Sequence, residues 1–126
     1  MKEIKFRIAM FTDKGRFTEF QYLKLGDDIE GTLCGYNGEP QQYTRLKDKN
    51  GVEIYEGDII KYDENEDMNH WVSGQVAVVV YSPARFTARM KPFESFNGSN
   101  QNTMNEDFEH NVKVIGNIHQ NPELLN

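Results

Sequence analysis

One cysteine, one tryptophan and four prolines in 126 residues leave little material for several common chemistries. A lone Cys34 has no internal partner, so no intramolecular disulfide framework is available. It stands between Leu33 and Gly35 with no neighbouring base to depress its pKa, so a catalytic thiol is not expected. Basic residues are the minority, 14 Lys and Arg against 20 Asp and Glu, for a net charge of -6. With a pI near 5.0, the chain is not one whose whole surface grips phosphate, although a local basic patch remains open to it. No apolar run approaches the roughly 20 residues needed to span a bilayer. The opening Met1-Lys2-Glu3-Ile4-Lys5-Phe6-Arg7 alternates charge with bulk, where a signal peptide needs a continuous apolar stretch. A cytoplasmic protein with no membrane partner is the expectation.

Signature motifs are scarce as well. There is no nucleophile elbow, no paired-carboxylate signature, and no glycine loop with the Lys and Ser/Thr that would hold phosphates. His70, His110 and His119 show no metal-ligand spacing with one another or with Cys34. Asp63, Asn65, Asp67 and Asn69 begin like a calcium loop, but Met68 replaces the required Gly and Gly74 the required Glu. A solvated acidic loop is the simpler reading. Neither a catalytic residue, nor a metal, nor a cofactor is expected.

What the chain does have is aromatic residues and turns. Eight Phe and six Tyr bring the aromatic share to 12 %, while the mean hydropathy of -0.74 implies long solvated loops. The length suits a single domain over 1–126 with one aromatic-rich core. Residues 4–11 alternate with period 2, Thr12-Asp13-Lys14-Gly15 turns, and 16–25 return, predicting a first hairpin. Residues 26–40 hold four glycines and form a long connection anchored by Ile29, Leu33 and Tyr36. Val72 to Tyr81, with Val76, Val78 and Val80 on one face and Ala77, Val79 and Tyr81 on the other, reads as a central, fully buried strand. In the next strand Phe86, Ala88 and Met90 should face in, and Arg85, Thr87, Arg89 and Lys91 out. Residues 92–111 read as a polar loop, followed by a last strand through Val112, Val114, Ile115 and Ile118. Asn121-Pro122-Glu123 then starts one helical turn whose Leu124 and Leu125 would plug the core. The expected class is mainly β, a small barrel-like domain with long polar loops and at most that short C-terminal turn.

The densest run of turn chemistry lies at 42–62. Tyr43 and Leu46 pin its entry to the core, and Asp48-Lys49-Asn50-Gly51 is a tight turn in which Asp48 bonds its own downstream backbone. A second break at Glu56-Gly57-Asp58 launches the strand of Ile59, Ile60 and Tyr62. The glycines are spaced for turns, so Asp48, Asn50, Gly51, Tyr55, Gly57 and Asp58 read as a folding device, with Asp58 the residue most worth testing for function. The candidate binding surface is Arg85, Arg89 and Lys91. With Lys5 and Arg7 nearby and Tyr81 or Trp71 exposed, it would make a basic and aromatic platform for single strands. The plainer alternative is a solvated face that protects a sheet edge.

Four pieces in order resemble the signature of the YopX family. They are Ile4-Lys5-Phe6-Arg7; Gln42-Tyr43-Thr44 with Leu46-Lys47-Asp48-Lys49-Asn50-Gly51; Ile54-Tyr55-Glu56-Gly57-Asp58-Ile59; and Val114-Ile115-Gly116-Asn117-Ile118 with Asn121-Pro122-Glu123-Leu124-Leu125. The family usually has Gly where this chain has Arg45, which argues against a positive-φ turn directly after Thr44, and an aromatic where Ile8-Ala9 stand. The resemblance implies a phage- or prophage-encoded protein with a barrel-like fold, its later half similar to SH3-like barrels. It carries no catalytic residues over. Multimers, including a homo-oligomer, are an expectation by analogy.

Three functions follow as expectations. The first is a non-enzymatic binding module acting on a host or phage macromolecule in the bacterial cytoplasm. The second is a nucleic-acid-associated phage factor using Arg85, Arg89 and Lys91. The third is a hydrolase with an acidic site between Asp63–Asp67 and Glu106–Glu109.

Overall fold

A computed structural model describes residues 4–24, 40–64, 73–82, 85–90, 101–104 and 111–125. The fold is mainly β. Strands β1 (Lys5–Phe11) and β2 (Phe17–Lys24) form the expected hairpin. The Thr12 hydroxyl accepts the N–H groups of Lys14 and Arg16 in its turn, and Gly15 takes φ +80°. With β3 (Gln41–Lys47) and β4 (Glu53–Tyr55) they make a four-stranded sheet of order β2-β1-β3-β4. The second sheet has order β8-β7-β6-β5-β9, from β5 (Asp58–Tyr62), β6 (Val76–Ser82), β7 (Arg85–Arg89), β8 (Gln101–Thr103) and β9 (Val112–Asn117). Each strand pair described is antiparallel.

The core belongs mostly to the second sheet. Ile60, Tyr62, Ala77, Val79, Ala88 and Val112 come from its strands, Met90 directly follows β7, and Leu46 and Ile54 of the first sheet complete the cluster. Residues 76–80 are buried or half-buried on both faces because β6 lies inside the sheet, between β5 and β7, but the strand is not fully buried as expected, since Tyr81 near its end is exposed.

Two joints connect the sheets. In the first, Asp48 Oδ1 accepts the N–H groups of Asn50 and Val52, while Oδ2 accepts that of Val114 on β9 at 2.9 Å. The Lys49 N–H donates to the Val112 carbonyl, and Gly51 takes φ +84°. A turn of β3–β4 is thereby clipped onto β9. In the second joint, Glu56 and Gly57 carry the chain from one sheet to the other. Their N–H groups donate to the carbonyls of Gln42 and Val79, and the Gly57 carbonyl accepts the N–H of Ile118. Gly57 has φ +85°, a dihedral that favours glycine, and a Cβ there would push against the Gln41 amide, which would have to move.

The structure departs from the expectations at several places. Gln41–Lys47 is a full strand, with a shift of register against β4 between Tyr43 and Lys47. Arg45 sits in that irregularity at φ +70°. The left-handed residue after Thr44 is thus retained in spite of the Arg, because the Thr44 hydroxyl donates to the Ile54 carbonyl and accepts the Leu46 N–H. Thr87, expected outside, is fully buried. The polar stretch 92–111 contributes β8, which pairs with β7. Pro122–Leu125 is a 3-10 turn with no buried residue, and Leu124 is exposed, so it is not a plug for the core. Cys34, His70, Trp71, Lys91, His110 and the calcium-like run from Asn65 to Asn69 lie outside the described residues.

Candidate functional site

Arg7 is where β1 departs most from a half-buried strand. Arg7, Ile8 and Ala9 are all buried, because β1 lies between β2 and β3. Arg7 Nη2 meets Asp58 Oδ1 at 2.7 Å and donates to the Glu56 carbonyl at 3.2 Å, while Nε donates to Gln41 Oε1 at 2.8 Å. The guanidinium carbon lies 4.0 Å from the Phe20 ring centroid and 4.9 Å from that of Tyr55. Asp58 Oδ2 accepts the Tyr55 N–H at 2.8 Å. Burial pushes the Asp58 carboxyl above its ordinary pKa, opposed by the Arg7 charge and by the hydrogen bonds from Tyr55 and Arg7.

The network continues through Gln41 to His119, with Gln41 Nε2 at 3.3 Å from His119 Nε2. Burial, and then the Arg7 charge, lowers the His119 pKa, so the neutral ring accepts the amide proton. The imidazole stacks on Phe17 at 6.0 Å and meets the ring of Phe11 edge-on at 5.4 Å. The β1–β2 hairpin therefore docks on the second joint through one cation, one amide and an aromatic cluster.

Beside Arg7 and Asp58 lies an open cleft of about 370 Å³. One wall includes Val52, Glu53 and Tyr55, and the other Val114, Gly116 and Asn117. Tyr22 also lines it, 57 % exposed and edge-on to the Tyr55 ring at 5.7 Å, and Val52 is exposed. The Tyr55 hydroxyl is buried with no hydrogen-bond partner. Burial first, and the Glu53 charge second, push its pKa up to about 12, so it stays a phenol. A second groove of about 450 Å³ lies across the joint, lined by Gln41, Gly57, Tyr81, Arg89, Ile118 and His119 among others.

The sequence candidates separate into two groups. Asp48, Asn50 and Gly51 form the first joint, and Tyr55, Gly57 and Asp58 the second. Arg85 is exposed at the start of β7, Arg89 is half-buried in the second groove, and Lys91 lies outside the described residues. Arg85 and Arg89 share a sheet face with buried Thr87, whereas exposed Tyr81 pairs with Phe86 on the other face. Neither Lys5, paired with Glu53, nor buried Arg7 joins an exposed platform. Asp63 is held by Lys49 at 2.7 Å, and 65–67 and 106–109 lie outside the described residues. Among the described residues no group of three His, Cys, Asp or Glu could hold a metal ion, and no helix is long and apolar enough to cross a membrane.

Sequence reasoning missed Arg7, Gln41, Phe20 and His119. The one signal for Arg7 was its place in the first YopX-like piece; its partners are set by pairing between distant strands.

The model of the YopX protein family matches residues 12–126. A crystal structure of protein EF1440 from Enterococcus faecalis is 27 % identical to the chain, with 98 % of each chain covered and a TM-score of 0.54. No curated protein matches the chain.

Proposed function

The chain belongs to the YopX family, and on that footing we propose that it is a phage- or prophage-encoded, non-enzymatic binding module acting on a host or phage macromolecule in the bacterial cytoplasm. One contrast carries the reading. The buried ionisable groups at the joints are spent internally, Arg7 on Asp58 and Asp48 on backbone N–H groups, while large apolar side chains are turned outward. Tyr22 and Tyr81 are each more than half exposed, and Val52 and Ile118 are exposed beside clefts. Groups spent on internal pairing suit a scaffold, and exposed aromatics beside concave surfaces suit recognition. The meander of β5, β6, β7 and β8, with β9 on its other edge, also fits kinship with SH3-like barrels. Affinity capture from phage-infected cells, with mass spectrometry, tests the reading. A macromolecule retained in stoichiometric amount by the folded protein and not by a heat-unfolded control is expected; nothing retained would sink it.

A second reading, a nucleic-acid-associated factor, is favoured by exposed Arg85 and half-buried Arg89. Titration against single- and double-stranded oligonucleotides at low salt decides it. Binding weakened by Arg89→Ala supports it, and binding indifferent to that change removes it.

A further inference from the structure

We propose that the cleft between β4 and β9 takes an extended, uncharged peptide segment of a partner protein, with one of its backbone carbonyls accepting the hydrogen bond of the Tyr55 hydroxyl. The inference rests on the binding-module reading and gives that module a site and a ligand class.

The first observation is the hydroxyl itself. Tyr55 is 3 % exposed and its oxygen has no partner, although buried phenols ordinarily find one. It lines the cleft next to two other buried polar side chains, Arg7 and Asp58. Those two satisfy each other; Tyr55 is left with a donor to offer. Its raised pKa keeps the proton on the oxygen through the physiological range.

The second observation is backbone geometry. Among the described strands β4 ends one sheet and β9 ends the other, and both line the cleft. An extended chain laid there meets what remains of two strand edges, since the Tyr55 and Val114 N–H groups and the Val112 carbonyl are already bonded to Asp58, Asp48 and Lys49. The third is charge. Arg7 is cancelled by Asp58 and Glu53 by Lys5. A phosphate or carboxylate would have to displace Asp58 from its arginine in a buried place, at a heavy desolvation penalty. A peptide group offers a carbonyl without that conflict. The rim then supplies what peptide side chains need: Tyr22 and Val52 for apolar contact, and the side-chain N–H groups of Gln120 and Asn121, whose oxygens already accept from Asn117, for polar contact. The ligand reaches the hydroxyl when Tyr22, an exposed ring packed edge-on against Tyr55, turns aside. Rotation of an exposed side chain is fast and needs no backbone change.

The test is a library of random eight-residue peptides panned on the full chain. Enriched peptides are then measured by fluorescence anisotropy on the wild type and on Tyr55→Phe and Tyr22→Ser. Enrichment of peptides poor in charge is expected, with affinity for Tyr55→Phe about tenfold lower or worse. Without peptide, Tyr55→Phe should melt at or above the wild-type temperature, since it removes a hydroxyl that has no partner. No enriched peptide, equal binding by both variants, or a lowered melting temperature for Tyr55→Phe would each overturn the assignment. If no peptide enriches while the wild type still captures a macromolecule from infected cells, the cleft assignment falls and the binding-module reading stands. If both fail, both fall.

Discussion

Replacing Arg7 by Met keeps most of the length of the side chain and removes its charge, leaving Asp58 buried without its counter-ion. Both side chains of the pair are nearly inaccessible, at 5 % and 3 %, so solvent screening does not soften the change. Breaking a buried pair from one side costs about 3–5 kcal/mol. Of that, about 0.5–2 kcal/mol belongs to the guanidinium over the Phe20 and Tyr55 rings, which does not depend on pH. The rest does. Burial already raises the Asp58 pKa, and Arg7 is the largest influence opposing it, so its removal raises the pKa further. A carboxyl whose folded pKa lies above its unfolded one contributes stability that is present below the unfolded value and lost as pH rises through the folded value. In the variant that loss is larger and extends to higher pH. The stability gap between wild type and Arg7→Met should therefore be about 3–5 kcal/mol at about pH 7 and shrink toward the ring contribution at about pH 3, below the ordinary carboxylate pKa and so below the raised one, where Asp58 carries a proton. Urea unfolding of both proteins at the two pH values, at matched ionic strength, measures the gap directly. A gap under about 1 kcal/mol at neutral pH, or one that does not change with pH, would refute the electrostatic account.

Other changes probe the joints. Asp48→Ala removes the acceptor of the Asn50, Val52 and Val114 N–H groups; at about 0.5–1.5 kcal/mol for each hydrogen bond, the loss should reach about 3 kcal/mol. Amide exchange at Val114 should accelerate with it, and unchanged exchange would argue against the clip. Gly57→Ala forces a side chain into φ +85° and onto Gln41, and should lose at least about 2 kcal/mol by chemical unfolding. Arg45→Gly relieves a left-handed Arg at φ +70°. After the entropy that glycine adds to the unfolded chain, it should gain about 0.5–1 kcal/mol, seen as a melting temperature a few degrees higher; a lower one would show that Arg45 makes contacts that outweigh the strain. His119, its pKa lowered by burial and Arg7, should titrate below 6.5 by NMR, and the stability its neutral form supports should fade as pH falls below 6.5. A midpoint above 6.5 would contradict its neutral contact with Gln41.

Much of the fold is legible in local pattern. The 5–11 and 17–24 hairpin, the two-sided run at Val76 to Ser82, the turn at Asp48 to Gly51 and the final strand at Val112 each follow from periodicity or turn chemistry within about ten residues. What local pattern hides depends on neighbours distant in sequence. Gln41–Lys47 did not read as a strand because its irregularity at Arg45 breaks the period of 2. Thr87 did not read as core because Arg85 and Arg89 on either side belong to a polar face. Arg7 is the sharpest case. An arginine between Phe6 and Ile8 reads as the solvent side of a strand, and only the arrival of Gln41 from β3 and Asp58 from β5 turns it into a buried centre. Its place in the first YopX-like piece is the one hint, and the family match, which begins at residue 12 after β1, adds nothing to it.

The glycine-bearing stretch at 48–58 could be mistaken for a ligand-gripping loop, but Gly51 and Gly57 turn the chain and Asp48 and Asp58 bond backbone N–H groups, and the opening it leaves is the cleft proposed above as a peptide site. Asp48 fixes β9 at Val114 to the turn before β4, and Gly57 fixes the other end through the carbonyl of Val79 and the N–H of Ile118. Between these anchors β4 and β9 are held near each other, yet among the described residues they pair with β3 and β5 and not with one another. Two strands pinned at both ends and unpaired in the middle must leave an opening there, and Tyr55 stands in it with its hydroxyl unspent. Asp58 then has two tasks of different kinds: it neutralises Arg7, and by accepting the Tyr55 N–H it sets where the Tyr55 side chain starts. On the peptide proposal Asp58, although it also lines the cleft, acts as a positioning residue for Tyr55.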